Sequence, residues 1–298
     1  MDLRHLRSVV ILSQELNFVR AAARLGISQP ALSQQLQRTE KELDVRLFTR
    51  VGRRVAPTDA GRLFVKDVEQ ILQHYDSTVS TVQRAAKGQI GRLRLGFVEA
   101  ASINTLPTIV AEYRRREPEV QLDLVEMISA ELAEALKRRA IDVALTRPID
   151  LDDPIESRII LREPYVVALA ANHPLAGESS VALSQIIDLG LIIAPGPKAR
   201  YISGRFRPLF ERLGREPKVT QEVYQRYAVT GLVQAGLGYS LLPRSAASLH
   251  TEGVVYLPLS DADAPLAELA VAWIPDGDAP TVTNFIALAR KLSDTGKL

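Results

Sequence analysis

Asn17-Phe-Val-Arg-Ala-Ala-Ala-Arg-Leu-Gly-Ile-Ser-Gln-Pro-Ala-Leu-Ser-Gln-Gln-Leu36 carries two helix signals almost end to end. Phe18, Ala21, Ala22 and Leu25 fall at helical spacing, and Gly26 follows where a helix closes through a left-handed residue. Ser28 is a good N-cap for the next helix, and Pro30 sits in a first turn where its missing N–H costs nothing. Leu32, Leu36 and Leu43 continue an apolar stripe. Two short helices joined by a tight glycine turn make a helix-turn-helix. The second helix keeps a polar face, Gln29, Ser33, Gln34 and Gln37, whose side chains donate to and accept from base edges. A plain helical hairpin with a solvated face has the same pattern, so the flanking sequence has to decide.

Upstream, Leu3, Leu6 and Val10 begin an amphipathic helix that completes a three-helix unit. Downstream, Val45 to Arg50 is β-prone and Arg53 to Pro57 reads as the returning strand, with Gly52 at the turn. This outlines a two-stranded wing that sets Arg50, Arg53 and Arg54 against phosphates or a minor groove. Thr58 caps a long helix to about Lys87. Along it Phe64, Val68, Ile71, Tyr75, Thr78, Val82 and Ala85 alternate in steps of four and three, a heptad seam. A seam on a lone helix stays wet, so the same helix of a second protomer is the expected partner.

Lys87-Gly-Gln-Ile-Gly91 then breaks the helix and predicts a hinge. Strand and helix signals alternate from there: strands at Leu93–Val98, Gln121–Met127 and Val143–Thr146, helices at Leu106–Arg116 and Glu131–Arg139. Further strands are predicted at Pro164–Ala171, Leu191–Ala194, Tyr239–Leu242 and Glu268–Ile274. Further helices are predicted at Arg205–Leu213, Val229–Ala235 and Val282–Leu292. Nearly all-apolar strands in β-α-β order argue for a parallel sheet with helices on both faces.

Composition narrows the function classes. The 298 residues contain no cysteine, which excludes disulfides, thiol catalysis and Cys-ligated zinc. No uncharged apolar run approaches the roughly 18 residues of a membrane span. The start, Met-Asp-Leu-Arg-His, lacks the apolar core of a secretory signal, so cytoplasmic residence is expected. Charge is uneven: residues 1–91 hold 14 Lys and Arg against 9 Asp and Glu, a net +5, and the remainder carries −3. A basic N-terminal part suits a polyanion. His5, His74, His173 and His250 show no metal spacing, and no Gly-x-Ser-x-Gly or Walker loop occurs. Gly236-Leu-Gly238 has Leu241 where a dinucleotide fingerprint needs its third glycine. No enzyme, metal or cofactor is therefore expected.

Several of these segments resemble LysR-type transcriptional regulators. The likeness lies in Ala-Ala-x-x-Leu of the first helix of the pair, Ser28-Gln-Pro-Ala-Leu-Ser33, Leu43-x-x-x-Leu47-Phe48-x-Arg50 and Pro57-Thr58-x-Ala60-Gly61. It continues in Ile141-Asp-Val-Ala144, His173-Pro-Leu175 and Gly231-Leu-Val-x-Ala-Gly-x-Gly-Tyr-x-Leu-Leu-Pro243. The resemblance implies a multidomain chain: an α-helical winged helix-turn-helix (1–58), a dimerising linker helix (59–88) and an α/β effector domain (89–298). That last domain would be periplasmic-binding-protein-like (type 2), with two Rossmann-like subdomains (91–162 with 270–298, and 163–269) and crossing strands near Pro164–Ala170 and Glu268–Ala272. The chain's opening Leu3-Arg-His-Leu-Arg7 and the spacing around Gly96-Phe-Val98 look most like the branch sensing aromatic compounds and their ring-cleavage products.

The expected partners are a double-stranded DNA operator, a small effector, and further copies of the chain as a dimer through the linker helix and a tetramer. RNA polymerase is a further candidate partner, and no membrane is expected. The family pattern puts Gln29, Pro30, Ser33 and Gln34 in the major groove and Arg53 on the wing. Many members have Arg where Gln34 stands; the amide favours adenine where the guanidinium favours guanine. For an anionic effector, loops at strand ends and helix N-termini nominate Ser102, Ser129 as an N-cap, Thr146, Arg147, Pro195, Arg200, Tyr201, Ile202, Ser203 and Tyr227. Glu99, in the same loop as Ser102, is at odds with an anion. The alternative is a solute-binding or enzymatic α/β domain whose N-terminal helices only oligomerise.

Overall fold

The computed structural model describes residues 1–51, 54–149, 151–275 and 279–298, without the side chains of 50, 51, 54 and 197–200. It divides into two units, Met1–Ala85 and Ala86–Leu298. In the first, Asp2 accepts from the Arg4 and His5 amides and starts α1 (Leu3–Glu15). Asn17 does the same for Val19 and Arg20 at the head of α2 (Phe18–Leu25). Gly26 closes α2 at φ 67°, where a Cβ is disfavoured, and Ser28 caps α3 (Gln29–Leu43) through the Ala31 amide. Val9, Leu12, Ala21, Ala22, Leu32 and Leu36 form the core beneath.

The wing is an antiparallel hairpin of β1 (Phe48–Val51) and β2 (Arg54–Pro57). Its first strand begins later than Val45. Asp44 ends α3 in a left-handed conformation, the Val45 amide returns to the Glu40 carbonyl, and the Glu40 carboxylate takes the Leu47 and Phe48 amides at 2.7 and 3.1 Å. Val45 is thus part of a helix stop. Gly52 and Arg53 lie outside the described residues.

Thr58 Oγ1 accepts from the Gly61 amide and opens α4 (Asp59–Ala86). A Cβ on Gly61 would stand 2.0 Å from the Leu47 carbonyl oxygen, so the wing packs against a helix face that has no side chain there. The heptad seam is corrected in its first half. Val68 and Leu72 are buried against Leu6 and Val10 of α1, with Phe64 packed alongside, because α1 offers this unit its own apolar face. On another face of the helix, Ile71, Tyr75, Val79 and Val82 remain 38–63% exposed.

The second unit runs β3 (Ile90–Phe97), a short 3-10 turn (Glu99–Ala101), α5 (Thr105–Arg116), β4 (Glu119–Glu126), α6 (Ser129–Lys137), β5 (Val143–Thr146) and β6 (Glu156–Ala170). There follow α7 (Leu183–Ile186), β7 (Leu191–Ile193), α8 (Pro197–Leu213), β8 (Val219–Glu222), α9 (Arg226–Gln234), β9 (Ser240–Pro243), β10 (Val254–Pro258), β11 (Leu266–Trp273) and α10 (Pro280–Asp294). The Lys87–Gly91 segment is held: Asn284 of α10 donates to the Lys87 carbonyl, and Gly88 is buried against Pro280.

One sheet has the order β10-β6-β11-β5-β3-β4, with β9 also on β6. The all-parallel expectation holds for β3 with β4 and β5 and fails for β6 and β11, which pair antiparallel with each other and with their other neighbours. These two strands run through both halves of the unit. Pro164 marks the switch on β6: up to it the strand pairs with β11, and from Tyr165 onward with β9 and β10. A proline has no ladder N–H, which makes it tolerable at such a break. A bulge at Leu269/Ala270 lies close by on β11. Leu93, Leu95, Val143 and Phe285 belong to one core, and Tyr165, Val167, Phe206 and Tyr239 to the other. Trp273, the sole tryptophan, ends β11 opposite Glu156 and Val143. Among the described residues no helix is long and apolar enough to cross a membrane.

Candidate functional site

Helix α3 presents the first site. With Leu32 and Leu36 buried on one side, Gln29, Pro30 and Gln34 stand exposed on the other and Ser33 is half-buried between. On the inner side the Ser8 hydroxyl of α1 donates to Gln35 Oε1 and ties α3 to α1. Arg50 and Arg54 lie on the paired backbone of the wing, and their side chains, like all of Arg53, lie outside the described residues.

The second site is a cavity between the two cores of the second unit. Its volume is about 110 Å³. Val98–Ala100 after β3, Ile128 and Ser129 at α6, and Arg147 and Ile149 after β5 form one wall. Ile193–Pro195 after β7, Tyr201 and Ile202 of α8, and Arg226 and Val229 of α9 form the other, with Tyr165 and Ser240–Pro243 at the back. Most of this surface is apolar.

The polar groups fall into two sets. Arg226, the first residue of α9, puts Nε 3.3 Å from Glu99 Oε1, with side chains only 12% and 24% exposed. Its Nη1 is buried and has no partner among the described residues, and the same holds for the Tyr165 hydroxyl. Burial raises the Tyr165 pKa, which keeps that hydroxyl a proton donor. In the other set, Arg147 Nη1 donates to the Glu268 carbonyl at 2.6 Å while its guanidinium stands 5.5 Å from the Tyr201 ring centroid. The Tyr201 hydroxyl accepts from the Glu268 amide at 3.0 Å. The Glu268 carboxylate takes Arg162 of β6 and Arg205 of α8. The cavity wall is thereby fastened to both long strands.

Of the residues nominated from sequence, the cavity gathers Ser129, Arg147, Pro195, Tyr201 and Ile202. Ser129 is the first helical residue of α6, Ile128 being the cap, and it lines the cavity. Ser102 is exposed and donates to the Glu99 carbonyl at 2.6 Å, bracing the turn from outside. Thr146 is buried in β5, its hydroxyl on the Arg147 carbonyl. Ser203 lies past Ile202 on α8 and is exposed; Tyr227 is 76% exposed, rotated off the wall by one helical step from Arg226. The Arg200 side chain lies outside the described residues.

Sequence reasoning missed Arg226, Tyr165, Tyr224 and the Ser240–Pro243 segment. Arg226 had a usable signal: a lone charge heading the otherwise apolar helix Tyr227–Val233. Tyr165, inside the run Tyr-Val-Val-Ala-Leu-Ala, reads as ordinary core. Among the described residues no cluster of His, Asp or Glu is arranged to hold a metal.

Residues 3–62 match the model for bacterial regulatory helix-turn-helix proteins of the lysR family, and residues 86–294 match that for the LysR substrate binding domain. The chain is 36% identical to the HTH-type transcriptional regulator BenM of Acinetobacter baylyi, over 89% of this chain and 87% of that one. The crystal structure of CbnR, a LysR family transcriptional regulator, shares the fold at a TM-score of 0.87 and 23% identity, covering 97% of this chain and all of that one. The BenM effector binding domain, solved with its effector benzoate, is similar at a TM-score of 0.61 and 28% identity, covering 70% of this chain and 95% of that one. These matches overturn the alternative of an α/β protein with merely oligomerising N-terminal helices. With a helix-turn-helix at one end and an effector-type domain over the rest, this chain belongs to the LysR family of DNA-binding, effector-responsive transcriptional regulators, not to an enzyme family.

Proposed function

We propose that this regulator senses a small anionic molecule with a largely apolar body, held in the cavity between the two halves of the second unit. The observation that carries the reading is a pair of buried donors without a partner among the described residues, Arg226 Nη1 and the Tyr165 hydroxyl, on the walls of one mostly apolar cavity. Unsatisfied buried donors cost free energy in the empty protein and are relieved by an acceptor ligand. Benzoate, the effector of the BenM domain, has that chemistry, which supports an aromatic or similarly compact acid here.

Gln29, Pro30, Ser33 and Gln34 read the major groove, and Arg50, Arg53 and Arg54 hold backbone or minor groove beside it. The protein acts in the cytoplasm, as a dimer through α4 and a tetramer through further contacts, with RNA polymerase as a downstream partner. Effector binding alters the cleft, and α4 with residues 87–91 carries that change to the spacing of paired α3 helices. Coupling requires that the effector prefer one arrangement over the other.

The test uses the full chain. Operator DNA is selected from randomised duplexes, and its footprint is compared with and without a panel of small aromatic and aliphatic acids. The expected result is salt-sensitive DNA binding with an acid-dependent footprint. A footprint unchanged at saturating acid refutes the coupling.

A further inference from the structure

Glu99 is an odd neighbour for an anion site. It comes from the 3-10 turn after β3, which is braced by the Ser102 amide and hydroxyl on the Glu99 carbonyl, and its side chain reaches across the cavity to Arg226 on α9. Among the described residues lining the cavity the charged ones are Glu99, Arg147 and Arg226. Glu99 faces Arg226 as the acid of this set, and Arg147 is a further positive charge on the lining. Arg226 still keeps Nη1 as a buried donor on the side away from its Nε bond to Glu99.

We infer that Glu99 is a specificity residue that limits the cavity to ligands of a single negative charge, selecting small, largely apolar monocarboxylates and rejecting size-matched dicarboxylates. This rests on the cavity being the anionic effector site. One carboxylate meets the buried Nη1 edge of Arg226. A second lies within several ångströms of Glu99, in walls too apolar to solvate it, where like charges repel strongly and burying an unpaired ion is costly. The pair also explains how a loop receiving an anion tolerates an acid: Glu99 orients the guanidinium from one edge and leaves another for the ligand.

The experiment is calorimetric titration of the full chain with benzoate and phthalate, and with pentanoate and glutarate, for the wild type, Glu99→Gln, Arg226→Ala and Asp152→Asn. Gln retains an acceptor for Arg226 Nε while removing the charge. The wild type is expected to bind each monoacid at least tenfold tighter than its diacid partner. Glu99→Gln should tighten monoacids about tenfold and diacids about a hundredfold, narrowing the ratio about tenfold. Asp152, paired with Lys137 on the surface, should leave the ratio unmoved.

Acids that bind with the same ratio in Glu99→Gln overturn the charge limit and leave the effector site standing. A matching change in Asp152→Asn also overturns it, as a general effect of net charge. If no acid binds any chain, or Arg226→Ala binds benzoate as well as the wild type does, the effector-site reading itself falls and the inference with it.

Discussion

Tyr165 concentrates the question of what the cavity is for. Its ring packs edge-on against Phe206 at 5.0 Å between centroids, while its hydroxyl has no partner among the described residues. Phenylalanine would keep the ring contact and remove the unsatisfied group. Tyr165→Phe is therefore expected to raise the stability of the ligand-free chain by about 1 kcal/mol in urea unfolding and to weaken acid binding several-fold. A hydroxyl serving only the fold would give the opposite stability change. Residues of this kind are hard to see in a sequence. Ser129, Arg147 and Tyr201 stood at strand ends or helix starts, where a rule points to them; Tyr165 lies mid-strand, where only the packed structure separates a core ring from a cavity wall.

At the scale of elements, Glu268 ties β11 to β6 through Arg162 and to α8 through Arg205. Burial pushes its pKa up, but the hydrogen bonds from Arg205 and Arg162 outweigh that and hold the carboxyl below its ordinary 4.5. A lowered folded pKa contributes stability that is complete above the unfolded value and is lost as pH falls through the folded one. Unfolding midpoints should thus decline below about pH 4.5, and Glu268→Gln should flatten that acid limb while lowering stability at pH 7. The wing makes a second test: Gly61→Ala places a methyl against the Leu47 carbonyl and should cost about 1–3 kcal/mol in thermal unfolding. The helix-turn-helix and most strands were legible from periodicity and caps. The long β6 was not, because Pro164 imitates a strand start and Glu156–Leu161 lacks a continuous apolar run. The short α7 and the wholly exposed β8 gave no periodic signal at all.

For the whole molecule, the exposed stripe Ile71, Tyr75, Val79 and Val82 on α4 is the surface we assign to a second protomer. Because the inner face of α4 is already satisfied by α1, the pairing seam begins farther along the helix than the heptads alone suggest. Replacing Ile71 and Val82 together by Asp should leave the fold intact, since both are exposed, and reduce the sedimenting species by at least half in mass. DNA affinity should fall with it, because two linked α3 helices bind far better than one. An unchanged sedimentation coefficient would put dimerisation elsewhere.

Trp273 gives the protein an optical reporter. It is the only indole in the chain, and it ends a strand that traverses both halves of the second unit. A twist of that strand changes the solvent around the ring, so its emission maximum tracks the strand without any attached dye. Stopped-flow fluorescence with excitation confined to tryptophan can then time the conformational step separately from ligand encounter. A phase whose rate saturates with acid concentration would be the closing step seen directly.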